Sequence, residues 1–547
     1  HKVLLEPLSD VRLHTESGGV AEGKGNYQFL LSMMGLSILI LVLSVFNYIN
    51  LATANAIKRA KEVGVRKVLG ASKKNIVVQF IAEATLNVFV AILLALVIVE
   101  LSLPYYNSFL DKHLILNSET FFMQLLLIMV VTIITAGVFP ALYVSNFETL
   151  KVLKGNFGRS KAGIWLRNGM LVLQFAIASF FIVGSYIVYE QIDFMNKKDL
   201  GFKGEQVVDV VYRNIYGDGI SNQMRYDKYL RIKNELLKIK GVKEVSGGTL
   251  GFGYGISSTI SYNYKDEVIN GQNVALDFGM LELMNIQLKE GRFLNAKYAS
   301  DTIDNMLVNE TAMKLMKEKS VIGKEVDWNG KKMKIVGVVK DFNVEGPHNP
   351  IEAVSIFHFK NVDWLLNNLH NIYIKIDPEN MDETVAEIEQ FWVNQVDPDY
   401  PFTYDFVNKE YARSYGQFVK QRNLFSLLNF VVIVIALMGL FALASYSIQT
   451  RMKEIAIRKT LGAETKTLLK ELSKQYILFC VIGFVIALFP VYFLLDKWLE
   501  NFAYRIDISV IPFVIGFVIL LLLTLVVVLS RAFQATRVEV LKYLKYE

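Results

Sequence analysis

The sequence predicts an α-helical membrane protein interrupted by one water-exposed α+β domain, and three observations carry that reading. Apolar residues make up 53% of the 547-residue chain and charged residues 20%, with mean hydropathy +0.34, whereas soluble domains carry about 25% charged residues. Seven apolar runs, each near the roughly 20 residues that cross a bilayer, flank a central stretch with the mixed patterning of a soluble domain. A basic segment, Arg59–Ala71 (RAKEVGVRKVLGA), returns 392 positions later as Arg451–Ala463 (RMKEIAIRKTLGA), each time after one apolar run and before the next.

Residues 1–28 are polar, and Gly18, Gly19, Gly23 and Gly25 mark a loop or linker. The first span covers residues 29–53. Lys58, Arg59, Lys61, Arg66, Lys67, Lys73 and Lys74 follow it against the single acid Glu62. A second span at 76–103 leads into a polar connection, 104–119. The third span ends near Val144, with Gly137 and Pro140 as breakers that neighbouring helices can accommodate. The fourth span is 166–190. Within 191–423, QVVDVVY at Gln206–Tyr212, KIVGVV at Lys334–Val339 and the run Ile372–Ile376 predict strands, while Asn222–Lys240 and Met381–Val393 predict helices. A domain of that length buries its own core. The last three spans are 424–447, 472–495 and 509–530.

Charge orients these spans. The connections holding Lys58–Lys74, Lys151–Arg167, Arg451–Lys470 and Arg531–Lys545 are rich in Lys and Arg, and 104–119 and 496–508 are not. The basic connections are expected in the cytoplasm, with the α+β domain outside and the C-terminus inside. The net charge of +6 therefore speaks of topology, and no nucleic acid partner is expected. The second half reads span, outer domain, span, basic helix, span, short outer loop, span, basic tail, and the first half shows only the end of that order. Even the tails correspond, Glu148–Lys154 with Glu539–Lys545. True repeats predict a further outer domain and an eighth span upstream of His1, so the chain is expected to be N-terminally truncated.

The residues then resemble a known family. The two RxKE-(I/V)-(A/G)-(I/V)-RK-x-LGA segments, Asp199–Phe202 (DLGF), Glu290–Phe293 (EGRF), Val308–Ala312 (VNETA) and Gly337–Asn343 (GVVKDFN) make the chain similar to FtsX/MacB-type ABC transporter permeases, in the two-repeat form seen in Bacteroidetes. The resemblance implies the following division. Residues 1–28 end a truncated outer domain, and 29–164 form an FtsX-like three-helix domain with coupling segment 54–75. Residues 165–190 are a membrane helix, 191–423 a MacB-like periplasmic core domain, and 424–547 a second FtsX-like domain with coupling segment 448–471. It implies a multi-pass protein of the bacterial inner membrane whose partner is a cytoplasmic ABC ATPase, in two copies, with a periplasmic adaptor or substrate protein and membrane lipid as further contacts. ATP and Mg would be bound by that ATPase and no cofactor by this chain.

On this reading Arg59, Lys61, Glu62, Arg66, Lys67 and Gly70, with Arg451, Lys453, Glu454, Arg458, Lys459 and Gly462, form two coupling elements that transmit ATPase closure for export or efflux. The alternative is a non-transporting FtsX-like signalling or scaffold protein that activates an envelope enzyme. Glu62/Arg66 and Glu454/Arg458 stand four apart, a helix-supporting pair worth about 0.2–0.5 kcal/mol, and Gly70 and Gly462 suit C-terminal caps. Simple lipid anchoring at about 1 kcal/mol per basic residue explains charge but not the retained order of Leu-Gly-Ala.

Catalysis finds no motif. The sequence contains no G-x-x-x-x-G-K-[ST], HExxH or GxSxG, so an enzyme is not expected. His348 and His358 are expected as solvated surface rather than metal ligands, and Asp341 and Glu345 as turn residues. Glu83 and Glu190 are expected to snorkel or cap at the membrane interface, and the lone Cys480 excludes a disulfide framework. Gly35, Ser37, Ser44, Ala178, Ser179, Gly184 and Ser185 are expected to allow close helix packing. Phe252, Tyr254, Tyr262, Tyr264 and Phe278 either line an apolar groove or fill the core.

Overall fold

The computed structural model describes residues 7, 27–58, 60–110, 113–116, 118–145, 161–213, 221–253, 255, 258–361, 366, 369 and 371–536. Residues 1–6 and 8–26 of the predicted polar segment 1–28, both tail segments that correspond in sequence, Tyr254 and Arg59 lie outside these residues. The chain divides into two compact units, one of residues 1–189, 422–496 and 508–547, the other of 190–421 and 497–507.

The first unit is helical. Its elements are α1 (Tyr27–Lys58), α2 (Ala60–Val68), α3 (Lys73–Leu110), α4 (Glu119–Ile133), α5 (Phe139–Ser145) and most of α6 (Lys161–Lys197). Seven helices among the described residues are long and apolar enough to cross a membrane. The predicted polar connection at 104–119 is corrected: α3 runs through Pro104 to Leu110. Proline removes one N–H near the end of the helix, and the residues after it still continue the turn. The third span accommodates its Gly and Pro and stays helical from Glu119 to Leu142. Ser118 caps α4, its Oγ accepting the Phe121 N–H at 3.1 Å, and a π turn at Ile134–Val138 precedes α5. Gly137 sits in that turn because a β-carbon there would meet Ala84 of α3 at 3.2 Å.

Helix α6 is the central one. Its apolar window is 72% buried, against 6% for α3, so α3 presents itself to lipid while α6 is enclosed by protein. Glycines permit that enclosure. A β-carbon at Gly483 would come within 2.6 Å of Phe175, and one at Gly516 within 2.5 Å of Val183. Gly184 meets Phe425 as close packing requires, whereas Gly35 has nothing within 4 Å and serves no such contact.

The second unit is built on strands β1 (Val207–Val211), β2 (Val242–Gly248), β3 (Thr259–Tyr264), β4 (Glu267–Leu276), β5 (Leu288–Gly291), β6 (Asn305–Asn309), β7 (Glu325–Trp328), β8 (Lys331–Val339), β9 (Ala353–His358), β10 (Asn371–Ile376) and β11 (Tyr404–Phe406). Its helices are α7 (Asn222–Leu236), α8 (Met280–Leu283), α9 (Glu310–Leu315), α10 (Met381–Phe391) and α11 (Val407–Ser414). The order β4-β3-β7-β8-β6-β9 closes on itself through a parallel β4–β9 pairing, Gly271 to Leu276 against Ala353 to His358, and β2-β10-β1-β11 extends it as an open sheet. Closure removes exposed edges from six strands. Phe252, Tyr262 and Tyr264 are buried in the core, whereas Phe278 is partly exposed at a small cavity.

The short motifs meet at one junction. Gly201, at φ +76°, lies against the Asp341 carbonyl, where only glycine fits, and the Asn343 N–H donates to the Leu200 carbonyl at 2.9 Å. Asn309 caps α9, accepting the Ala312 N–H at 3.0 Å, and the Thr311 N–H donates to Asp341 Oδ1 at 2.8 Å. Arg292 forks onto buried Asp301 at 2.5 and 2.8 Å, while its N–H donates to the Val336 carbonyl. The four sequence signatures of this domain are thus the fastenings of one structural node.

The remaining helices are α12 (Gly416–Thr450), α13 (Met452–Thr460), α14 (Thr465–Leu499) and α15 (Ile511–Thr536). Residues 497–507, the last turn of α14 and the connection that follows it, belong to the α+β unit. Gln191 fixes the connection there: its Nε2 donates to the Tyr504 carbonyl at 3.0 Å and its Oε1 accepts the Ile506 N–H at 2.9 Å.

Candidate functional site: two helices built to one plan

Both basic repeats fold as nine-residue helices, α2 and α13, between two long apolar helices. Their termini are made in the same way. Gly70 has φ +95° and Gly462 φ +88°. The Gly70 N–H donates to the Lys67 carbonyl at 3.1 Å and the Ala71 N–H to the Arg66 carbonyl at 2.9 Å. In the second copy Gly462 reaches Lys459 at 3.1 Å and Ala463 reaches Arg458 at 3.0 Å. This pair of bonds with a left-handed glycine satisfies the last carbonyls and turns the chain back.

Five of the basic side chains, Arg66, Lys67, Arg451, Arg458 and Lys459, are engaged within the chain, as are the acids Glu62 and Glu454. Arg66 Nη2 pairs with Glu62 at 2.8 Å, and Arg458 Nη2 with Glu454 at 2.7 Å. The other nitrogen, Nη1, reaches the first turns of the next helix, Gln79 in the first copy and Glu471 in the second. Lys67 Nζ donates to the Ser145 carbonyl at the end of α5 at 2.8 Å, and Lys459 Nζ to the Thr536 carbonyl at the end of α15 at 2.5 Å. Partial burial, then the nearby charge of Lys73, lower the Lys67 pKa. Arg451 precedes α13 and donates to Gln475 at 3.4 Å, and Lys453 is exposed. Lys61 stands in α2; Arg59 is outside the described residues.

The helices are seated by their apolar face. Val63 and Gly64 are buried in the first copy, and Ile455 and Ala456 at the same two positions in the second. In the second copy Ile448, Met452, Leu468, Leu472, Ala532 and Ala535 complete the cluster. The opposite face is what sequence reasoning missed. Leu69 is 80% exposed and Leu461 82%, with Val65 at 49% and Ile457 at 41%. Each helix therefore presents an apolar tip ringed by charge. The shared leucine of LGA was the available signal, read in the sequence as register and not as surface.

Two buried polar clusters lie in the α+β unit. Asp277 accepts Tyr226 Oη at 3.0 Å, Tyr229 Oη at 2.8 Å and Lys233 Nζ at 2.6 Å, with His358 Nε2 at 3.5 Å. Burial works against its charge, but these hydrogen bonds, led by His358 and Lys233, override it and hold the carboxyl below the usual range. His358 is 1% exposed and stacked on Phe278, which corrects the expectation of a solvated histidine; apolar neighbours on β9 carry it into the core. His348 is half-buried, and burial lowers its pKa. The second cluster is Asp209 on β1, which accepts from Asn371 Nδ2 at 2.6 Å and faces Glu410 of α11; burial pushes both carboxyls up. No group of three or more potential metal ligands occurs among the described residues.

Comparison with known proteins agrees with this layout. The FtsX-like permease C-terminal family matches twice, over residues 34–149 and 426–540, and the MacB-like periplasmic core domain matches residues 170–391. The two matches begin 392 positions apart, the register of the basic repeat. No curated relative matches the chain. Among solved structures, the periplasmic region of MacB from Actinobacillus actinomycetemcomitans aligns at 16% identity and TM-score 0.29, over 38% of this chain and 92% of that one. The extracellular domain of the noncanonic ABC-type transporter YknZ from Gram-positive bacteria aligns at 13% identity and TM-score 0.27, over 36% and 98%. With two FtsX-like halves about a MacB-like core domain, the chain belongs to the FtsX/MacB-like permeases, the multi-pass inner-membrane components of ABC transporters that work with a cytoplasmic ABC ATPase.

Proposed function

We propose that α2 and α13 are the two coupling elements through which ATPase closure is transmitted to the outer domain, for export or efflux. The observation that carries the reading is the repeated build of the two helices. Each has a glycine cap, an Arg–Glu pair, a lysine tied to the end of the third membrane helix, and a leucine tip exposed on the outer face. Lipid attraction needs only positive charge; it does not require a rigid helix with a fixed apolar tip.

The tethers suit transmission. A helix tied to both neighbouring spans passes a push on its tip to them as displacement, where a flexible loop would absorb it. The tips would seat in clefts of an ATPase that binds ATP and Mg, one subunit per helix. The basic connections and the C-terminus would lie in the cytoplasm. The connection after α14 is gripped by Gln191 at Tyr504 and Ile506, so displacement of α14 has a direct route into the outer domain. Work done there need not pass a substrate through the bundle.

The test is loss of coupling with binding preserved. Full-length permease and its ATPase are reconstituted in vesicles, and a spin-label distance within the outer domain is followed on adding ATP. The wild type should change distance, and Gln191→Ala should bind ATPase normally but respond less. Equal responses would remove 497–507 from the route; no response in either would favour a scaffold.

A further inference from the structure

The two coupling helices differ at the point where their arginines are anchored. At the position 13 residues after the arginine the first copy has Gln79 and the second Glu471; four residues on, the order is reversed, with Glu83 and Gln475. Arg66 therefore shares its Nη1 with a neutral amide. Gln79 Nε2 passes the contact to Glu83, a full turn further along α3, at 3.1 Å. Arg458 sits between two carboxylates, Glu454 and Glu471. Over the aligned stretches 59–79 and 451–471 each copy has six basic residues, but the first has one acid and the second three, Glu464 being the other addition; four residues on, Glu83 and Lys474 bring both copies to the same net charge, so the difference is how close the carboxylates lie to the arginine. The apolar tips are alike, with Leu69 and Leu461 equally exposed.

We infer that the two elements are not interchangeable, and that α2 makes the more cationic, more salt-sensitive contact with an acidic ATPase cleft, while α13 relies more on its apolar tip. This rests on the coupling role proposed above. Physically, Arg66 and Arg458 are both about two-fifths exposed, so each projects charge toward a partner, and a second carboxylate on Arg458 cancels part of that field. Charge at the rim of an interface acts on association rate and salt dependence, over a range of about 8 Å at physiological ionic strength. Two identical ATPase subunits would then dock with different affinities on one chain, the α2 side first.

The chain supplies its own swap. Gln79→Glu gives α2 the anchor of α13, and Glu471→Gln gives α13 the anchor of α2; each side chain already occurs in that geometry. ATPase binding to the full-length permease is measured across a salt series. Gln79→Glu should weaken binding roughly twofold to fivefold and flatten its salt dependence, and Glu471→Gln should strengthen it and steepen the dependence. Gln79→Met, which removes the hydrogen bond without adding charge, should leave the salt slope unchanged. Neither swap shifting affinity or slope, or Gln79→Met shifting the slope as much as Gln79→Glu, overturns the inference. The control is Leu69→Asp with Leu461→Asp. If it releases the ATPase while the swaps do nothing, coupling stands and the asymmetry fails; if it releases nothing, both fail.

Discussion

Replacing Lys459 by Met removes one tether of α13 and little else. The stem of Met keeps most of the lysine's packing, so the loss is the charged hydrogen bond from Nζ to the Thr536 carbonyl at 2.5 Å, partly shielded from water. Bonds of that kind contribute about 1.5–3 kcal/mol, and with about 2 kcal/mol lost the local opening equilibrium of the helix rises roughly 30-fold. Hydrogen exchange on the full-length protein reads this directly, because local opening sets amide protection. Amides of 452–463 should exchange about 30-fold faster, while those of α12 within the membrane keep their protection. A change under about threefold would mean that the lysine does not hold the helix. Faster exchange spread equally over α12 and α14 would mean that the substitution unfolds the bundle, and the tether argument would be wrong.

Three further outcomes follow from the geometry. Gly70→Ala and Gly462→Ala should each cost about 1–2 kcal/mol of local stability, seen as fraying of α2 or α13 by exchange, since both glycines hold positive φ and have open space around them, leaving only the backbone penalty. Asp209 has its folded pKa raised by burial, so the native state keeps a proton that the unfolded state has lost, and stability falls as pH rises from the ordinary carboxylate range through the raised value. Asp209→Asn should flatten that fall in thermal melts of the full chain and stabilise the outer domain at higher pH; an unchanged slope would refute the assignment. Asp277 is the opposite case, its pKa held down by His358, Lys233 and Tyr229 against the effect of burial. Its stabilisation is present above the ordinary carboxylate range and lost as pH falls through the depressed value, so Asp277→Asn should cost about 2 kcal/mol near neutral pH and less in acid.

The sequence was informative where one physical signal dominates. Spans are readable because hydrocarbon demands an unbroken apolar run, and the repeat because eight residues return in register. The glycine ends of α2 and α13 were legible for the same reason: positive φ after a basic helix has few solutions. Three features were not. Pro104 reads as a stop, yet α3 continues to Leu110, because near a helix end the missing N–H costs little. His358 reads as polar surface, yet it sits under Phe278 against Asp277 and Tyr226, partners separated from it by 81 and 132 residues. The closed strand ring depends on the parallel pairing of β4 with β9, far apart in sequence, and no local pattern specifies it. At the coupling helices, residue types were visible but their directions were not. Arg66, Lys67, Arg458 and Lys459, which could have faced only a partner, also tie the helices to their own chain, and the most exposed position at each tip is a leucine.

The central claim is that the tips of α2 and α13 engage an ATPase, and retention of the partner ABC ATPase, with full-length wild type and with Leu69→Asp/Leu461→Asp, tests it most directly. Both leucines are exposed and pack against little, so the double variant should insert and fold as the wild type does. The account predicts that the wild type holds the ATPase and the double variant releases it. Equal retention by both, or binding by neither, would contradict it and leave the two helices as membrane anchors.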